Sequence, residues 1–214
     1  MGKYFKGILG PFSGLVGTVV GAVWNGIAVM RSRPTKSNRP ATQAQLNTQF
    51  KLALVTGFLR RIKLLINKGY QQFNNGITPM NAATAYHLKN AVTGTSSLNY
   101  AIDYEKVVFS QGNLLPAAGA QVQITTAARL NFSWLNDATL GSTGGTDLAT
   151  FMVYNLEKDK FVTLAGAVAR SAAAFVLQVP PDFSGDDVHC WMAFVSFDGK
   201  EVSDSTYVGE FTVL

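Results

Sequence analysis

Val188-His189-Cys190-Trp191-Met192-Ala193-Phe194-Val195 reads as a strand in which successive side chains point to opposite faces. One face then carries Val188, Cys190, Met192 and Phe194, the other His189, Trp191, Ala193 and Val195. Both are largely apolar, so this strand is expected to be covered on both sides. Cys190 is then a small core residue rather than a reactive thiol. Outward from this stretch, a period of two holds from Thr93-Gly94 onward. It predicts strands at Glu105–Ser110, Gln121–Thr125, Arg129–Leu135, Leu148–Leu156, Lys160–Leu164, Ala173–Val179, Val188–Phe197 and Tyr207–Val213. Short strands separated by turn-rich segments at this density indicate an antiparallel β-sandwich.

The period lengthens upstream. Thr42 with Gln45 three residues later forms a capping-box pattern. Leu46, Phe50, Leu54, Phe58, Ile62 and Ile66 then recur every four residues, which predicts one amphipathic helix ending near Lys68-Gly69. Asn74-Asn75-Gly76 is a turn, and Thr78-Pro79 opens a second helix running to about Val92. His87 lies on that helix with no acidic residue in the first hundred positions to orient it, so a structural role is expected.

Residues 18–33 hold two β-prone runs around Asn25-Gly26, a dipeptide suited to the positive φ angles of a tight hairpin turn. A competing reading places Gly10, Gly14, Gly17 and Gly21 along one face of a helix, but glycine costs roughly 1 kcal/mol per interior helical position. The hairpin is favoured. Two strands alone are marginal in water, so this ribbon must lie against something else. Arg31, Arg33, Lys36 and Arg39 follow with Pro34 and Pro40, giving an extended basic arm without aromatic residues for stacking bases. Lys3 and Lys6 ahead of Ile8-Leu9 imitate a signal peptide, but glycines and Pro11 interrupt the apolar run and no small-x-small cleavage site closes it. No stretch approaches the ~18 apolar residues of a membrane-spanning helix. The expected class is α+β, divided into a glycine-rich arm, hairpin and basic segment (1–41), a helical region (42–94) and a β-sandwich (95–214).

The 214 residues are 47% hydrophobic and only 14% charged, so much of the surface is neutral or reserved for a partner. The net charge of +5 conceals a polarity: residues 1–100 contain 12 Lys/Arg and no acid, while residues 101–214 contain all 13 acids and carry −7. One cysteine excludes an internal disulfide, and two isolated histidines give no metal-ligand spacing. No phosphate loop, dinucleotide fingerprint, nucleophile elbow or paired carboxylates on a rigid element is present, and Asp186-Asp187 falls in a Ser-Gly-Asp-Asp turn expected to be solvated. No catalytic, metal-binding or cofactor-binding residue is assigned, and no enzyme activity is expected.

The pieces Leu130-Asn-Phe-Ser-Trp134, Phe151-Met-Val-Tyr154 and Val188–Phe197 with Asp198-Gly199 and Ser203 resemble the second, third and sixth-to-seventh strand regions of a fibronectin type III domain. That resemblance implies a fibronectin III/Ig-like sandwich and a binding or spacer role, not chemistry. Nearly end to end, the chain also resembles an uncharacterised bacterial domain-of-unknown-function family. The matching residues are Gly14-x-x-Gly17, Gly21-x-x-Trp24-x-Gly26-Ile27, Arg31-x-x-Pro34, Thr42-x-x-Gln45 leading to Gly57-Phe58, Asn81-Ala82, Asn90-Ala91, Gly94, Ser203-Asp204-Ser205 and Tyr207-x-Gly209. The first part is similar to segments of small phage- and prophage-associated proteins.

The leading expectation is a self-assembling structural subunit of an extracellular, cell-surface or virion-like filament or tube, formed by heterologous contacts between copies. Gly14, Gly17, Val19, Gly21, Val23, Trp24, Ile27 and Val29 are the expected assembly arm, with Asn25-Gly26 as its turn. Arg31, Arg33, Lys36, Arg39, Arg60, Arg61 and Lys63 are expected to meet Asp182, Asp186, Asp187, Asp198, Glu201 and Asp204 of a neighbour. The alternatives are a surface module recognising a glycan, a protein or an anionic surface, and nucleic-acid binding by the basic half, which the −7 half disfavours.

Overall fold

The computed structural model describes residues 2–3, 12–24, 26–35, 39–73, 76–136 and 145–214, with backbone only at 2–3. The chain divides into two compact units, Met1–Thr42 and Gln43–Leu214. In the first, β1 (Gly2–Lys3), β2 (Gly14–Val16), β3 (Val19–Trp24) and β4 (Ile27–Ser32) form an antiparallel sheet in the order β1-β4-β3-β2. Trp24 pairs with Ile27, so the hairpin turns at positions 25–26; Gly26 has φ +78°, and Asn25 lies outside the described residues. Val16 pairs with Val19 across a second tight turn, in which Gly17 adopts φ +59°. Gly14 and Gly17 thus serve strands and turns, and the glycine-faced helix does not form over residues 12–24; residues 7–11 lie outside the described residues.

The second unit opens with α1 (Gln43–Arg61) and α2 (Lys63–Gly69), where the sequence predicts one helix. They are parted at Ile62, which leaves helical angles (φ −104°, ψ 24°) while its amide bonds to the Leu59 carbonyl. The buried residues are Val55, Phe58, Leu59, Ile62, Leu65 and Ile66, whereas Phe50 is 49% exposed. A strict four-residue repeat drifts around a helix of 3.6 residues per turn, so Leu46 and Phe50 rotate away from the stripe that the later residues bury. After α3 (Pro79–Asn90), whose Asn81 amide donates to the Thr78 hydroxyl, comes the short pair β5 (Val92–Thr93) and β6 (Ala101–Ile102).

Seven strands complete the unit: β7 (Gln121–Thr126), β8 (Arg129–Ser133), β9 (Leu148–Asn155), β10 (Lys160–Leu164), β11 (Ala174–Gln178), β12 (Asp187–Val195) and β13 (Thr206–Thr212). They form a three-stranded sheet, β11-β8-β7, and a four-stranded one, β10-β9-β12-β13, each antiparallel. Three strands thus face four across a shared core, an antiparallel sandwich as the sequence pattern indicates. The strand predicted at 105–110 does not form. Tyr104–Lys106 is a 3-10 turn, and the following extended backbone bonds to side chains instead, the Phe109 amide to the Ser205 hydroxyl and the Val108 amide to His87.

The two-faced strand is where the layers meet. Val188, Cys190, Met192 and Phe194 join Phe151, Val153, Leu130, Phe132 and Trp134 in the core between the sheets. Trp191 and Ala193 join Met152, Tyr154 and the buried stripe of α1 and α2 in a second core. Helical region and sandwich therefore share β9 and β12 and form one compact unit with three layers. No helix among the described residues is long and apolar enough to cross a membrane.

His87 is a structural residue of this unit. It is 2% exposed, its Nδ1 donates to the Ala83 carbonyl at 2.7 Å, and its Nε2 accepts from the Val108 amide at 3.2 Å. That pairing fixes the neutral Nδ1–H tautomer, and burial pushes its pKa below the usual histidine value. Burial depresses His189 in the same way. A depressed folded-state pKa means that the unfolded chain takes up the proton first. The histidine contribution is therefore complete above about pH 6.5 and declines as the pH falls through the depressed values. The urea midpoint at pH 5.5 is expected to lie below that at pH 7.5, with a smaller drop in His87→Gln.

Candidate functional site

The N-terminal sheet has two apolar faces. Register places Gly14, Val16, Val19, Gly21, Val23, Ala28 and Met30 on one, and Leu15, Val20, Ala22, Trp24, Ile27 and Val29 on the other. No charged residue occurs from Phe12 to Met30. Leu15 (54%), Val16 (60%), Val19 (36%), Val23 (60%) and Trp24 (48%) are exposed. Val29 is buried and Gly21 is covered by Phe12, so close that a Cβ there would lie 2.4 Å from the Phe12 carbonyl oxygen. Burying a large apolar side chain contributes about 1.5–3 kcal/mol, so leaving these five exposed forgoes a sizeable stabilisation. The outer edge of β2 pairs with no described strand.

The charged candidates are dispersed. Arg31 and Arg33 are exposed in the first unit, Arg39 lies in the same unit, and Lys36 lies outside the described residues. Arg60, Arg61 and Lys63 flank the break at Ile62 in the second unit, where Arg61 is engaged by Asp159. The acids gather at the two ends of β12, roughly 26 Å apart at the usual rise per residue. At one end Asp182 pairs with Lys160 at 3.0 Å and Asp187 accepts from the Thr212 hydroxyl at 2.6 Å. Asp186, expected in solvent, is instead buried: it accepts from Asn155 Nδ2 at 2.7 Å and from Lys158, which holds its carboxyl below the usual range. The turn at Ser184-Gly185 tucks it beneath the β9–β10 connection. At the other end Asp198 accepts from Ser196 and Lys200, which lowers its pKa to about 2, Asp204 accepts from the Gly112 amide, and Glu201 lies between them in sequence. Three of the six acids are thus met by lysines of this chain.

A further cluster escapes the sequence reading. Phe58, Arg61, Tyr104, Tyr154 and Asp159 surround a cavity of about 480 Å³. The Tyr154 hydroxyl donates to Asp159 at 2.8 Å, and Tyr104 stacks on His189 with ring centroids 4.4 Å apart. Bonds from Arg61 and Tyr154 lower the Asp159 pKa, while burial raises those of Tyr104 and Tyr154. Asp159 reaches this position because the β9–β10 turn holds it at φ +52°. Its partner Arg61 is 98 positions away, so no local pattern announces the pair.

One matched region reaches from the first unit into the second. A model described as a family of unknown function (DUF6266) matches residues 11–209. The chain belongs to that family. The DUF6266 match takes in β2, β3 and β4 of the N-terminal sheet, the helices and the sandwich into β13, so those three apolar strands are part of the family's common region. It includes the Gly14-x-x-Gly17 and Tyr207-x-Gly209 motifs of the sequence reading. No curated protein matches this chain.

Proposed function

We propose that this DUF6266 chain is a non-enzymatic structural subunit that assembles head-to-tail with copies of itself into a filament, tube or other extracellular or virion-like structure. One observation carries the reading: Leu15, Val16, Val19, Val23 and Trp24 are exposed on a sheet that has no charge between Phe12 and Met30. A neighbour would cover that sheet, and a surface that differs from the one it contacts generates a ring or a helical array. Arg31 and Arg33, which form no ion pair among the described residues, add positive charge beside it. The lysine-neutralised acids make the apolar contact the larger contribution.

Sedimentation and electron microscopy across concentration and salt test this. The native chain is expected to give concentration-dependent oligomers, and Val23→Glu with Trp24→Glu to shift the midpoint for assembly at least about tenfold. A native chain that stays monomeric throughout, or assembly untouched by the double substitution, overturns the proposal.

A second reading, a surface binding module, draws on the aromatic cavity at Tyr104, Tyr154 and the Arg61–Asp159 pair. Retained oligomers together with glycan binding abolished by Tyr104→Ala would favour that reading for the second unit.

A further inference from the structure

At the end of the four-stranded sheet opposite Asp186 lies an apolar groove of about 430 Å³, within the size range of small-molecule sites. Ala193 and Leu148 contribute to its lining, and its lip carries Leu64 and Phe197, which are 85% and 76% exposed. Exposed leucine and phenylalanine on either side of one apolar groove are costly to leave in water. One cation joins them. Lys68 lines the same groove, and its ammonium donates to the Gly199 carbonyl. Gly199 has φ +72°, and a Cβ at that position would lie 2.8 Å from Lys68 Nζ, so the absence of a side chain there leaves the ammonium its place. Among the described residues no carboxylate comes within ion-pair distance of Lys68, although Asp198 and Lys200 are paired close by in sequence.

An apolar trough with a cation at its mouth that lacks an anionic partner is complementary to one kind of ligand. We propose that this groove binds a single acyl chain bearing an anionic head, with the chain along Leu64, Leu148, Ala193 and Phe197 and the head on Lys68. The ammonium has three donors and gives one to Gly199, which leaves two for a carboxylate. This site is separate from the N-terminal sheet and does not depend on the assembly reading.

Isothermal titration of the full chain with octanoate, decanoate and 1-octanol, below their micelle or solubility limits, tests it. Decanoate is expected to saturate one site, each added methylene tightening binding about fourfold. Lys68→Met should weaken octanoate about tenfold and leave 1-octanol unchanged, since it removes the charge and keeps the apolar stem. Leu64→Asp, at an exposed position, should weaken all three. Trp24→Glu should weaken none, which separates this site from the assembly surface. No saturable decanoate binding, or equal losses for acid and alcohol in Lys68→Met, overturns the proposal. So does a Leu64→Asp chain that loses self-association while the native chain takes up no ligand, because a second copy then fills the groove.

Discussion

Asp147→Ala is expected to destabilise the second unit by about 3–5 kcal/mol, the usual cost of breaking a buried ion pair from one side. Arg170 is 0% exposed and Asp147 is 4% exposed. Arg170 Nε lies 3.4 Å from the Asp147 carboxylate, its Nη2 donates to the Leu115 carbonyl at 2.7 Å, and its guanidinium sits 3.8 Å from the Phe194 ring centroid. The same turn binds the sandwich through its backbone: the Arg170 carbonyl accepts from Trp134 Nε1, and the Arg170 amide donates to the Asp147 carbonyl. Burial raises the Asp147 pKa despite the neighbouring guanidinium. Urea denaturation is the measurement. Replacing both residues, Asp147→Leu with Arg170→Met, should recover most of the loss, because it removes the charge along with its partner. A single substitution costing under about 1 kcal/mol would show that the guanidinium keeps adequate solvation without the aspartate.

Trp191→Ala should cost a similar amount, about 3–5 kcal/mol for a buried tryptophan, and it should be felt on both sides of the sheet. Trp191 is 0% exposed and packs with the helices and with Tyr207, its ring centroid 5.4 Å away. Its neighbours in sequence, Cys190 and Met192, belong to the other core. Because β12 lines both cores, helix and sheet signals from circular dichroism should shift their midpoints together. If the helices melted first and left the sandwich at its native midpoint, the shared strand would not couple the layers.

The same two-faced alternation explains why the strands were legible. Seven of the eight predicted strands form, and Lys160–Leu164 has its predicted limits, because apolar residues on alternating positions state both period and burial. Thr78-Pro79 likewise marks the start of α3 through a cap that is local in sequence. What stayed hidden depends on distant partners. Glu105–Ser110 has strand chemistry but meets His87 and Ser205 instead of a sheet. The Ile62 break follows from a repeat that cannot stay on one face of a helix. Of the candidate residues, the apolar hairpin was visible as pattern. The Arg61–Asp159 and Lys158–Asp186 pairs were not, since their members lie 98 and 28 positions apart.

Residues 1–42 contain neither a carboxylate nor an imidazole. All 13 acids and both histidines lie in the second unit, so the side-chain types that ordinarily take up protons below pH 7 are confined to it. Any acid sensitivity of the side chains in a contact made by the N-terminal sheet must therefore enter from the surface it touches: the sheet brings no carboxylate or imidazole of its own, and the receiving surface sets the condition under which it holds.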